Sequence, residues 1–126
     1  SHCGWNGCVG GAAPAAVHAM RAHGARDLVA AIGPHISLDA FEVGSDVAAQ
    51  LLDASPDKGI VQMRGDKPHV DLRRMVRAQL RDAQLSDDAI DDVYGCTVGE
   101  PERYFSYRRD KNPSGRMLSV IVSSCT

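Results

Sequence analysis

The sequence predicts an α/β fold in layers, a mixed β-sheet covered by helices, and three observations carry that prediction. Leu72, Met75, Val76, Gln79, Leu80 and Ala83 recur at helical spacing, with arginines on the other side. Leu28–Ile32 is a continuous apolar run stopped by Gly33-Pro34, the pattern of a short buried strand. Met117–Val122 is apolar and β-branched, which suits a second strand.

The remaining elements follow in chain order. Gly4–Gly11 reads as a loop, and Ala12–His23 as an Ala-rich helix burying Val17 and Met20. Pro14 fits the first turn of that helix, where its missing N–H costs little, and Gly24 is a natural residue just past its end. Gly33–Ile36 is the loop at the end of the first strand, a common place for binding groups. Ser45 is placed to cap a helix over Asp46–Ala54, and Ser55–Gly59 is a turn by composition. Ile60–Met63 suits a short strand, and Asp71 caps the clear helix that starts at Leu72. Ser86, Asp87 and Asp88 start another short helix, since acidic residues favour a helix N-terminus. Val93–Val98 reads as a strand, Tyr104–Asp110 as a polar and aromatic connection, and Asn112–Gly115 as a turn. The strands are expected to share one sheet.

The 126 residues fit one domain, long enough to bury about two-thirds of the unfolded surface. The net charge of −2 leaves no basic footprint for nucleic acid, and the local Arg clusters are interleaved with acids. No apolar run approaches a membrane span. Four cysteines without C-x-x-C spacing read as free thiols, which points to the cytoplasm. Cys96 and Cys125 are expected to be core or terminal thiols, and His18, His23 and His69 surface or capping residues. A strand normally leads into a loop such as Gly4–Gly11, so the expectation is that an upstream portion precedes it.

The opening Ser1-His2-Cys3-Gly4-Trp5-Asn6-Gly7 carries the most chemistry-bearing residues. Neutral imidazole is a preferred zinc donor, so His2 is a candidate ligand, with Cys3 and His35 weaker ones. Cys3, Cys8 and His35 could build a tetrahedral site with His2 if their loops converge, although the spacing is not diagnostic. Trp5 is read first as packing a turn, with stacking on a purine as the alternative. Arg108 and Arg109 follow an aromatic–Ser–aromatic run, and a guanidinium suits phosphate.

Several segments together carry a resemblance. His2–Gly7 resembles an H-A-G-W-R-G motif, Ala31–Ile36 an A-I-G-P-C-I motif, and Phe41–Gly44 an (F/Y)-E-V-G motif. Asp71-Leu72 opens a D-L helix, Cys96-Thr97 matches a C-T pair, Tyr104–Asp110 resembles F-F-S-Y-R-R-D, and Gly115–Met117 the G-R-M after it. All belong to the YfiH-type family, known both as polyphenol oxidases (laccases) and as purine nucleoside phosphorylases. The match covers the C-terminal half of a family member, starting at its metal-site motif.

The resemblance implies an α/β sandwich with zinc held by two His and one Cys, of which only His2 has a counterpart here. The other two ligands would come from a missing N-terminal half or a second chain. It implies phosphorolysis of adenosine, inosine and methylthioadenosine, so the partners are a purine nucleoside and phosphate, with adenosine deamination as a companion reaction. Copper-dependent phenol oxidation is the alternative activity and copper the alternative metal. A role in editing peptidoglycan precursors is attached to some members. A non-catalytic scaffold lacking the metal centre is the third reading. His2 and Arg109 would be catalytic, and Asn6, Gly33, His35, Ser106 and Arg109 would contact substrate. Cys3, Asn6 and His35 depart from the motif letters, and Asn6 lacks the phosphate-binding fork of the Arg it replaces. With one metal ligand of three, this chain is expected to carry a remnant of the active site.

Overall fold

The computed structural model describes residues 1–123. Its elements are helices α1 (Trp5–Val9) and α2 (Ala12–Ala22), strand β1 (Ala30–Ile32), helix α3 (Ser45–Ala54), strands β2 (Val61–Arg64) and β3 (Lys67–Val70), helix α4 (Leu72–Asp82), strand β4 (Ile90–Asp92) and helix α5 (Tyr107–Asp110). The fold is α/β, as the sequence predicts, but the strands form two small sheets rather than one. β1 and β4 pair in parallel with Ala30 opposite Ile90 and Ile32 opposite Asp92. β2 and β3 form an antiparallel hairpin with Arg64 opposite Lys67. Its two-residue loop puts Gly65 at φ 64°, a conformation that favours glycine in tight hairpins.

Helix ends show why the helices stop where they do. Asp71 accepts the Arg74 N–H at 2.9 Å and caps α4 as expected. α2 ends in a Schellman motif, with Ala25 N–H donating to Met20 O and Gly24 N–H to Arg21 O, and Gly24 at φ 90°. α4 ends the same way, Leu85 N–H on Leu80 O, but with Gln84 in the left-handed position at φ 71°. That conformation costs about 1–2 kcal/mol for a residue with a Cβ, and burial of Leu85 in one cluster with Leu80 offsets it. The expected Ser45 cap is not formed. Gly44 takes the cap position and has no side chain to offer, and the Asp46 carboxylate sits where a Cβ at residue 44 would go.

Two apolar clusters make the core. One gathers Cys8, Phe41, Leu51, Ile60, Val70 and Met75 beneath α1 and α3. The other gathers Ala13, Val17, Ile32, Leu80, Leu85 and Ile90 between α2, α4 and the β1–β4 sheet. α4 contributes to both, and Cys3 and Val76 touch both.

Further expectations need correction. Of the two residues expected on the buried face of α2, Val17 is buried but Met20 is 51% exposed. Gly4–Gly11 is not a loop, since α1 occupies most of it. The strand expected over Val93–Val98 lies earlier, at Ile90–Asp92, and within the rest of that segment only Cys96 forms a bridge among the described residues, to His35. Met117–Val122 has strand composition but no partner among the described residues, and Leu118 is 89% exposed. His69 is not a surface residue. It is 8% exposed, its Nδ1 within 3.0 Å of Leu38 O. Cys125 lies outside the described residues.

Candidate functional site

The glycines of the opening motif have a steric reason. A Cβ on Gly7 would lie 2.9 Å from the His2 carbonyl oxygen, and one on Gly4 would lie 3.0 Å from the His2 ring nitrogen Nε2. The backbone of His2 therefore folds back over the first turn of α1 because position 7 lacks a side chain, while a side chain at position 4 would only displace the ring. At the other end of α1, the Gln79 amide donates to Cys8 O at 2.8 Å from within the core. The other amide atom, Gln79 Oε1, is buried and finds no partner among the described residues. Burial, with Cys3 adding to it, pushes the Cys8 thiol up to about 12, so it stays protonated. His2 and Asn6 are exposed, and Cys3 is half-buried.

Gly33 and His35 lie past the end of β1, as the sequence suggested. His35 Nδ1 sits 3.0 Å from Gly33 O, and Thr97 N–H donates to His35 O. Beside them the Cys96 sulfur accepts from the Ser37 and Gly99 amides at 3.4 and 3.3 Å. Burial alone would raise this thiol, but the hydrogen bonds outweigh it and the net shift is downward. Asp92, at the end of β4, is held below the usual carboxylate range by its bonds to Arg73, against the effect of burial, with Arg77 and His35 adding.

Ser106 and Arg109 take structural positions. Ser106 is buried and its hydroxyl caps α5 by accepting Arg109 N–H. Arg109 donates to both oxygens of Asp110 and to the carbonyls of Thr97, Val98 and Tyr104. Its fork is spent on stapling the 97–110 segment together. Through Thr97 this segment joins the His35 loop, so Gly33, His35, Ser106 and Arg109 belong to one connected region.

Sequence reasoning did not find the cleft beside α1. About 390 Å³ in volume, it is lined by Trp5, Phe41, Glu42, Val43, Gly44, Val47 and Arg108. Both terminal nitrogens of Arg108 donate to Glu42 O, at 3.0 and 2.9 Å, and the guanidinium lies over the Phe41 ring, 5.3 Å from its centroid. Glu42 in turn pairs with Lys67 at 3.3 Å and faces His69 Nε2 at 3.9 Å. The Phe41–Gly44 segment was legible as a motif, but its lining role depends on residues far apart in sequence.

The described residues do not fit a metal on their own. No group of three or more His, Cys, Asp or Glu side chains comes together among them, so His2, Cys3, Cys8 and His35 do not form the four-ligand set that the sequence left open. No helix of the described residues is long and apolar enough to cross a membrane.

Residues 1–124 match the family described as multi-copper polyphenol oxidoreductase laccase. The chain belongs to this family. Its relatives include a purine nucleoside phosphorylase of Deinococcus radiodurans, 38% identical over 96% of this chain and 47% of the relative. Another, from an unknown prokaryotic organism, is named adenosine deaminase and is 36% identical over 96% of this chain and 48% of its own length. Among solved structures, YlmD of Geobacillus stearothermophilus superposes with a TM-score of 0.79 at 30% identity, covering 91% of this chain and 45% of that one. The chain thus spans about half the length of the family members it matches. The family's description names copper, while the names of its relatives concern purine nucleosides.

Proposed function

We propose that this chain contributes to a purine nucleoside phosphorylase acting on adenosine, inosine or methylthioadenosine, with adenosine deamination as a companion reaction. The observation that carries the reading is the match along nearly the whole chain to proteins named for purine nucleosides. In the reaction a phosphate oxygen bonds to the anomeric ribose carbon as the bond to the purine breaks. The bonding pair leaves on the purine, which takes up a proton.

Roles for the residues follow from their chemistry. With Nδ1 engaged by Gly33 O, His35 can offer Nε2 to substrate, and the space beside Gly33 is open. Asn6, exposed on α1, can contribute an uncharged amide. Arg109 and Ser106 act by holding the segment that carries Arg108. A zinc site would take His2 as one donor and need the others from an upstream half or a second chain, so no step is assigned to a metal. Copper oxidation of phenols keeps the family's description in its favour, but it needs clustered donors.

The test is incubation of the intact protein with inosine, with and without phosphate, alongside its intact mass and metal content. Hypoxanthine released only with phosphate is the expected result. Release without phosphate, or phenol oxidation with no attack on nucleosides, would overturn the reading.

A further inference from the structure

We propose that the cleft between α1, the Phe41–Gly44 segment and α3 seats the purine ring, with Trp5 as stacking wall and Arg108, rather than Arg109, as the ligand-facing guanidinium. This rests on the purine nucleoside reading and adds the place and the contacts.

Size and lining agree with it. At about 390 Å³ the cleft lies within the ~300–1,000 Å³ usual for small-molecule sites. Trp5, Phe41, Val43 and Val47 give apolar walls, and Arg108 and Glu42 set a donor beside an acceptor. A purine matches both features, with flat apolar faces and an edge that carries both acceptor and donor atoms. The second cleft, of about 570 Å³, has Asp57, Lys58, Arg81 and Asp82 in its lining and no aromatic residue, so it lacks a stacking wall.

The choice between the two arginines is geometric. A guanidinium carries five N–H donors. All those of Arg109 have acceptors within its own segment. Arg108 spends one donor from each terminal nitrogen on Glu42 O and has no other acceptor among the described residues. That bond and the Phe41 ring fix its orientation at the cleft, so a ligand meets a guanidinium already in place.

Trp5 is the sole tryptophan of the 126 residues, so subtracting the signal of a Trp5→Phe variant isolates its fluorescence in the intact protein. The intact protein would be titrated with hypoxanthine and with adenine, using ribose and inorganic phosphate as controls. Saturable quenching by the purines and none by ribose or phosphate is expected. Arg108→Gln should weaken purine binding about tenfold or more, while Arg81→Gln leaves it unchanged. Val47→Phe, which fills the cleft from α3 without touching Arg108, should weaken it as well and covers the case in which Arg108→Gln fails to fold. No saturable response at millimolar purine, or full affinity in both cleft variants, overturns the proposal. Phosphorolysis by the intact protein with KM unchanged in Arg108→Gln would sink the cleft assignment and leave the activity standing. Purine binding through Arg108 without phosphorolysis would do the reverse.

Discussion

Arg73 grips Asp92 through two parallel bonds, Nε to Oδ1 at 2.8 Å and Nη2 to Oδ2 at 2.7 Å, and so fastens α4 to the end of β4. The Asp92 side chain is only 11% exposed, and Arg77 adds a third bond at 3.0 Å. Because these partners hold the folded-state carboxyl below its ordinary value, the pair contributes stability above the unfolded value of about 3.9. That contribution disappears as pH falls through the lowered folded value. Asp92→Asn should therefore cost about 2 kcal/mol at pH 7, on the scale of hydrogen bonds to charged groups. Urea unfolding at pH 7 and at pH 3 checks it, since the gap between variant and parent must narrow in acid.

Gln79 supports α1 from below. Its amide donates to Cys8 O at 2.8 Å, it is 4% exposed, and it leaves Oε1 without a partner among the described residues. Gln79→Ala would strand a carbonyl in the core, a loss of about 1–3 kcal/mol. Thermal unfolding measures the loss. Hydrogen exchange should show it concentrated in α1, so a uniform change across the chain would contradict this account.

Which parts of this fold can be read from sequence depends on where each element finds its stabilising partners. α2 and α4 carry their own signals, such as the Asp71 cap and Gly24 just past a helix end. β4 does not. Ile90-Asp91-Asp92 has no strand composition, and its last residue is held by Arg73 and Arg77 from another element. β3 is masked by Pro68, which disfavours strands but sits opposite Met63 in the hairpin. Met117–Val122 shows the opposite failure, the right composition with nothing to pair with among the described residues. At the candidate site the glycines of Ser1–Gly7 were legible because their spacing is local. The different roles of Arg108 and Arg109 were not, since adjacent identical side chains differ only in the distant carbonyls they reach.

The two described thiols with opposite shifts should separate in reactivity. Cys96 is lowered, with backbone amides donating to its sulfur, and Cys8 is fully buried and raised to about 12. Since the thiolate is the nucleophile, iodoacetamide at pH 7 should alkylate Cys96 well before Cys8 in the folded chain. Time-resolved peptide mass spectrometry reads the order. Cys8 reacting first would mean that α1 opens readily, contrary to the packing around it.

Arg109 gives the sharpest contrast between the role suggested by its motif and the role its bonds define. If it served mainly to bind phosphate, Arg109→Lys would retain charge and fold, and only substrate binding would suffer. Its bonds to Asp110 and to the carbonyls of Thr97, Val98 and Tyr104 predict another result. A lysine ammonium is compact and cannot reach acceptors spread across the plane of a guanidinium. Losing even one charge-assisted bond of about 1.5–3 kcal/mol should raise local opening of the 97–110 segment about tenfold or more. Hydrogen exchange over residues 97–110 is the readout, with α2 as internal reference. Unchanged protection there, together with weakened phosphate binding, would return Arg109 to the ligand.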